Sequence, residues 1–469
     1  MQHLWRGLWL VALVVVPGMP AQRPTAALPP EQALRQAVAA AESFGVRTGV
    51  LAATDNGRSF YAHRSQETFV PASNQKLLTA AVVLQGLGTE HRFRTRFVLQ
   101  AGKLVVQASG DPNWITGSAQ EPSVIFGQVA RALRQRGVVA LQGVVLDPGS
   151  FLGPSRPSGW PQDQLYTYYC APTGPFVLDQ GVFTLSIASG RASTAQVSLV
   201  GPTAAMPLRG SIEVVDGGKN LIYGGTDRGE AVQLSGKFLR KAPPVTVRTA
   251  VRDPADWFRA ALLSSLADAG ISVLATAPIA ADGLVHEHAT ELGPALLRML
   301  EESSNFDAEQ CLRALGAKTG DGSLQGGVAA MHALLVRELG SLPAEIVLAD
   351  GSGLSKTNRL SPQVLLQVLL ATQRGPGASL LRQALPIAGQ SGTLSERFHG
   401  TNLVGRVHAK TGWIRGASAL SGYVERHDGS RRWFAILMNY DPNKNGLNKD
   451  LKQLQEKMVE AMAAFEVAR

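Results

Sequence analysis

The stretch Pro71-Ala72-Ser73-Asn74-Gln75-Lys76-Leu77-Leu78-Thr79-Ala80 sets a hydroxyl and an amine close together on one short segment. The apolar run over residues 77–84 predicts a helix begun near Pro71, since proline suits a first helical turn. Ser73 then falls in that turn, and Lys76, three residues on, lies over the same face. A serine hydroxyl attacks poorly until a neighbouring base takes its proton, and the positive end of a helix dipole favours a developing alkoxide. These are the parts of an acyl-transfer nucleophile. An ordinary helix start with a surface lysine has the same four-residue pattern, so the rest of the chain must decide.

Upstream, Leu34, Val38 and Ala41 recur at helical spacing between Pro30 and Gly45, which predicts a helix. Two β-like runs, 48–54 and 58–63, flank Asp55-Asn56-Gly57, and Asn-Gly between such runs is a strong hairpin signal. The same texture returns at the other end, with strands expected at 404–408, 417–424 and 433–438 and a helix from Leu447 to about Phe465. The expected fold class is α/β (α+β), a sheet flanked by helices. Between the two ends, residues 94–100, 103–109 and 143–146 read as strands, 122–136 and 253–269 as helices, and 181–249 as a small all-β unit of short strands. One split domain, 28–92 and 290–469, is therefore expected to carry a large insertion. The insertion divides into 93–180 with 250–289, and the all-β unit 181–249.

A chain of 469 residues has room for about three domains. Its 45% hydrophobic and 17% charged content describes a globular protein. Lys plus Arg outnumber Asp plus Glu by 45 to 36, which favours anionic surroundings such as a phospholipid surface or an acidic wall polymer. Peripheral association with membrane or wall would suit that balance. Nucleic acid is the least supported partner, because no basic run interleaved with aromatics stands out. Arg6 and the apolar run 8–16, broken by Pro17 and Pro20, fit a secretory signal peptide over residues 1–21, cleaved near Ala21. A periplasmic location follows from that reading. Cys170 and Cys311 are the two cysteines, read as buried free thiols in preference to one disulfide. Val285-His286-Glu287-His288 lacks the spacing that puts two imidazoles on one helix face, and it reads as a solvated linker. No metal or cofactor is implied.

Further along the chain stand Ser303-Ser304-Asn305 and Lys410-Thr411-Gly412. Ser303 offers a hydroxyl that can relay a proton to a leaving amine, and Asn305 an amide that can hold Lys76 and a substrate backbone. Lys410 supplies a second cation that, with burial, would lower the pKa of Lys76. Thr411 offers a hydroxyl to a substrate carboxylate, Gly412 lets a substrate backbone approach, and the N–H groups of Ser73 and Trp413 would form an oxyanion hole. Lys318-Thr319-Gly320 repeats the tripeptide, but it follows a helix and opens a turn, so Lys410 is taken as the functional copy. The glycines at 320–327 lack the strand and the Gly-Lys-Ser/Thr ending of a phosphate loop.

Ser-x-x-Lys, Ser-x-Asn and Lys-Thr-Gly in this order are the signature shared by penicillin-binding proteins and class A β-lactamases. With Ser109-Gly110-Asp111-Pro112, Asp350-Gly351-Ser352-Gly353-Leu354-Ser355 and Asn358-Arg359-Leu360-Ser361-Pro362, the chain from about Leu28 onward resembles the class C low-molecular-mass penicillin-binding proteins, the D-Ala-D-Ala carboxypeptidase/endopeptidase family. The resemblance implies a serine β-lactamase/transpeptidase-like domain with an antiparallel sheet. It also implies a serine DD-peptidase that acts on peptidoglycan stem peptides through an acyl-enzyme and is inhibited by β-lactam antibiotics. Catalytic Ser73, Lys76, Ser303, Asn305 and Lys410 and substrate-binding Thr411, Gly412 and Trp413 carry over. A β-lactamase or esterase on the same scaffold, or a non-catalytic wall-binding protein, are the competing readings. Two positions depart from the family pattern: Ser304 stands where Asp is usual, and Trp413 where a smaller residue is usual, its ring narrowing the cleft.

Overall fold

Strand pairing joins the two ends of the chain. The computed structural model describes residues 28–190, 192–201, 206–219 and 221–466, and the expected signal peptide at 1–21 lies outside them. Arg47–Thr54 pairs antiparallel with Ser59–His63 on one side and with Arg431–Asn439 on the other. Ala417–Glu425 and Val407–Ile414 complete an antiparallel sheet of five strands, with Val407–Ile414 at one edge. The Asn56-Gly57 turn closes the first hairpin as its dipeptide predicts, with Gly57 at φ +88°.

Helices cover both faces of this sheet. Pro30–Ser43 and Leu447–Ala464 pack on one side, around Leu34, Val38, Leu451 and Met458. The other side takes Gln75–Leu87, Gly293–Leu300, Asn305–Lys318, Leu324–Leu339 and Pro362–Arg374. Ala417–Glu425 is buried on both faces between these layers, and seven of the nine residues of Arg431–Asn439 are buried too. Arg431–Asn439 reads accordingly as a continuous apolar run over 433–438, whereas Ala417–Glu425 keeps Ser418, Ser421 and Gly422 inside.

A second sheet runs in the order Gly283–Glu291, Arg92–Gln100, Lys103–Gln107, Gly143–Asp147, the last pair parallel. Pro122–Gln135 and Pro254–Asp268 pack on it through Phe97, Phe126, Leu133 and Phe258. Between Val182 and Ala250 the described strands run from three to eight residues, and Phe183, Leu185, Val232 and Phe238 form a core there with Trp257 of Pro254–Asp268. The 285–288 segment is not a linker. It lies within the edge strand Gly283–Glu291, where Glu287 meets Arg94 at 2.7 Å and His286 and His288 turn toward Phe97 and Trp114. Half-exposed alternation along an edge strand leaves polar residues on the solvent side, which is why it reads as polar in sequence. Cys170 and Cys311 are both buried and free.

Candidate active site

Ser73 enters its helix through a 3-10 turn, Ala72–Asn74, which leads into the α-helix Gln75–Leu87. The helix thus starts four residues later than Pro71, and Ser73 sits at its mouth. Ala72 is held at φ +47° and Ser303, across the site, at φ +63°. Left-handed backbone at a residue with a side chain costs about 1–3 kcal/mol, so surrounding contacts must hold both loops. At the first, Gly412 has room only because it lacks a side chain: a Cβ there would stand 3.0 Å from Pro71 O and 3.2 Å from Asn74 N. On this face the Ser73 turn packs over Gly412.

Lys76 is fully buried, with its Nζ 3.0 Å from Ser73 Oγ. It donates to Asn305 Oδ1 and to the carbonyl of Ser352, both at 2.7 Å. Burial lowers its pKa to about 7, against the pull of the Asp350 and Glu309 charges in the other direction. Lys410 is also fully buried. Burial first and the charge of Lys76 second push it well below the usual lysine range. For Lys76 itself burial is what lowers the pKa, and the charge of Lys410, expected to share in it, is not among the causes.

Asn305 is fixed from its other end by donating from Nδ2 to Tyr169 O at 2.8 Å. Ser304 caps Asn305–Lys318 by accepting from Asp307 N. Asp would make the same cap, so Ser304 can stand for it without loss of the helix start. Beneath the cap, Asp307 is fully buried and paired with Arg298 at 2.6 Å, and Arg298 reaches on to Asn113 Oδ1. Ser303 opens onto a groove of about 220 Å³ lined also by Asn305, Tyr168, Tyr169, Gln180 and Arg248.

The Lys-Thr-Gly strand runs on through its motif, from Val407 to Ile414. The Ala409 N–H bonds Pro386 O at the outer edge. N–H directions alternate along a strand, so the N–H groups of Thr411 and Trp413 face that edge as well. Asn74 Nδ2 donates to Lys410 O, tying the strand to the Ser73 turn. Thr411 Oγ1 is bonded to Thr393 Oγ1 at 2.8 Å, and Lys410 Nζ donates to Thr411 O at 2.9 Å. The Trp413 side chain is 55% exposed.

The structure therefore gathers Ser73, Lys76 and Asn305 by direct contact and sets Lys410 and Gly412 against the same turn, while Thr411 bonds Thr393. Three contributors escape sequence reasoning: the Ser352 carbonyl, Thr393 and the Tyr169 carbonyl. Two are main-chain groups that any residue carries. The Asp350–Ser355 loop is visible as a motif, but not which of its atoms faces Lys76.

The D-Ala-D-Ala carboxypeptidase 3 (S13) family model matches residues 31–464. A D-alanyl-D-alanine carboxypeptidase of Actinomadura sp. (strain R39) is 28% identical over 428 residues, 84% of this chain and 78% of that protein. The crystal structure of penicillin binding protein 4 from Haemophilus influenzae superposes with a TM-score of 0.76 at 24% identity, covering 91% of this chain and 97% of that one. The same protein complexed with a β-lactam gives 0.73 at 22% identity over 94% and 100%.

Proposed function

Because the chain belongs to the D-Ala-D-Ala carboxypeptidase 3 (S13) family and is a serine-type D-Ala-D-Ala peptidase, we propose that Ser73 is the residue it acylates. The observation that carries this is the set of partners around Lys76. A neutral amine has two N–H bonds and one lone pair. Asn305 Oδ1 and Ser352 O can only accept, and each stands 2.7 Å away. Once both N–H groups are spent there, the lone pair is left for Ser73 Oγ at 3.0 Å. With a pKa lowered to about 7 by burial, a large fraction of Lys76 is neutral near pH 7.

Lys76 takes the Ser73 proton as Oγ attacks the carbonyl carbon of the penultimate D-Ala. The N–H groups of Ser73 and Trp413 receive the oxyanion. As the tetrahedral intermediate collapses, the C–N bond breaks, and the leaving amine takes a proton through Ser303 Oγ, replaced from Lys76. Water then attacks the ester and releases the shortened peptide. Lys410 and Thr411 receive the terminal carboxylate, Thr411 turning its hydroxyl from Thr393, while Asn305 holds Lys76 and the substrate backbone. Gly412 keeps the edge strand close to the Ser73 turn, and the Trp413 ring narrows the cleft.

Substrates are peptidoglycan stem peptides or their cross-links, and β-lactams acylate the same serine. The acylating domain is 28–92 with 290–469, the insertion 93–180 with 250–289, and the all-β unit 181–249. An exported, periplasmic protein with its leader cleaved near Ala21 and a peripheral association with membrane or wall fits this chemistry and the basic charge. Mass spectrometry after incubation with penicillin and with a D-Ala-D-Ala pentapeptide tests the assignment. The penicilloyl adduct is expected on the Ser73 peptide, with D-Ala released from the pentapeptide, and both lost in Ser73→Ala. An adduct that persists in Ser73→Ala overturns it.

A further inference from the structure

Glu309 is a fully buried carboxylate that no step above employs. It lies on Asn305–Lys318, one helical turn beyond Asn305, and faces the loop that carries Ser352. Its two oxygens accept from Gly351 N at 3.0 Å, and Oε1 accepts from Ser352 N at 2.7 Å. On the other side of the same loop, Thr79 Oγ1 donates to Gly351 O at 2.6 Å. Thr79 stands three residues after Lys76 on the nucleophile helix. The backbone is thus gripped at both N–H groups and at one carbonyl, and its next carbonyl, Ser352 O, points at Lys76 Nζ.

We propose that Glu309 is a positioning residue for acylation: by holding the Gly351 and Ser352 amides it aims the Ser352 carbonyl at Lys76, and so aims the Lys76 lone pair at Ser73. The chain of cause is geometric. If the Ser352 carbonyl turned away, one N–H of neutral Lys76 would lose its acceptor, and the amine could rotate its lone pair off Ser73 Oγ. Loss of that carbonyl would also remove a partner that favours the ammonium form, so the Lys76 pKa would fall further. The charged groups facing Lys76 are Lys410 from the edge strand, Asp350 from the loop and Glu309 itself. Those facing Glu309 are Asp350 and Arg313. Burial and the Asp350 charge push Glu309 above the usual carboxylate range, against the bonds from Gly351 and Ser352.

This inference rests on Lys76 as the base that activates Ser73. The test follows penicillin acylation by the full chain across pH in Glu309→Gln and in Thr79→Val, which removes the opposing hydroxyl tether with little change of volume. Glu309→Gln is expected to label to full stoichiometry but about 30–100-fold more slowly, and Thr79→Val several-fold more slowly. In both, the acid limb of the rate profile is expected to move to lower pH. A rate within twofold of the parent and an unmoved limb in Glu309→Gln overturns the proposal; where that variant fails to fold, the same result in Thr79→Val does so. Lys76→Met separates the two layers. Fast acylation there shows that the base assignment has failed, whereas abolished acylation beside a parent-like Glu309→Gln shows that only the positioning role has.

Discussion

Lys410-Thr411-Gly412 and Lys318-Thr319-Gly320 are the same tripeptide in two settings. The first lies in an edge strand, its lysine fully buried beside a second buried lysine and driven well below its usual pKa. The second closes the helix Asn305–Lys318, where Lys318 Nζ donates to Gly86 O at 2.7 Å, at the C-terminal end of the nucleophile helix. A cation there meets the negative end of a helix dipole and stays hydrated. Thr319 folds back on Gly316 O, and Gly320 takes φ +98°, so this copy is a helix stop. The difference teaches that the same tripeptide is placed for the proposed chemistry where a strand edge presents it to a buried, like-charged site, and is a stop where it ends a helix. The copy at 318 stabilises the helix at whose mouth Ser73 sits.

Replacing each lysine by methionine should separate the two copies most sharply. Lys410→Met is expected to slow acylation by penicillin about 1000-fold, on the scale of losing one electrostatic partner of a transition state. Stability should move the other way. The folded pKa of Lys410 lies below its unfolded value of 10.5, so the unfolded chain binds more protons between the two. Stability therefore rises with pH through that window. Lys410→Met removes the penalty, and urea unfolding should find the variant more stable at pH 7, by about 1–3 kcal/mol, with the gap closing toward pH 10.5. Equal or lower stability at pH 7 would mean that the buried ammonium has a partner worth more than its desolvation.

The pH profile probes the same contrast at smaller amplitude. Lys76 must be neutral to accept the Ser73 proton, and burial sets its pKa at about 7. The second-order acylation rate is expected to rise with unit slope below about pH 7 and to level above it. The charge of Lys410 is not among the causes of the Lys76 shift, so the limb should stay near pH 7 in Lys410→Met and in Lys318→Met alike, with the plateau lowered only in Lys410→Met. A plateau lowered equally in both variants would erase the distinction between the copies.

The two copies were told apart by their surroundings. Val404-Gly405-Arg406-Val407-His408 reads as a strand leading into the motif; residues 404–406 are turn, and the strand begins at Val407 and runs through the motif itself, whereas Asn56-Gly57 announced the first hairpin correctly. The Ser73, Asn305 and Lys410 motifs were readable because each needs a particular side chain. Where a contact is made by main chain, as at Ser352 O and Tyr169 O, any residue would do and the sequence carries no mark. Where pairing partners lie about 190 residues apart, as Glu287 and Arg94 do, local pattern cannot find them, and the strand around His286 passed for a linker. Gly412 stands out in sequence for the approach of a substrate backbone; the turn 71–74 also packs against it, and that is a matter of tertiary packing.

The smallest effect belongs to the copy at the helix end. Lys318 Nζ meets the last turn of Gln75–Leu87 through Gly86 O, with Leu87 O at 3.5 Å. A lysine at a helix C-terminus contributes about 0.3–1 kcal/mol, less as salt screens it. Lys318→Met should therefore lower the urea midpoint slightly, and the loss should shrink at high ionic strength. Ser73 sits at the opposite end of the same helix, about 20 Å away at 1.5 Å per residue. A change of this size at the far end leaves the Lys76 contacts in place, so penicillin acylation should stay within twofold of the parent. A rate that fell with the midpoint would show that fraying at Leu87 reaches Ser73, and the two tripeptides would then be coupled through the helix that lies between them.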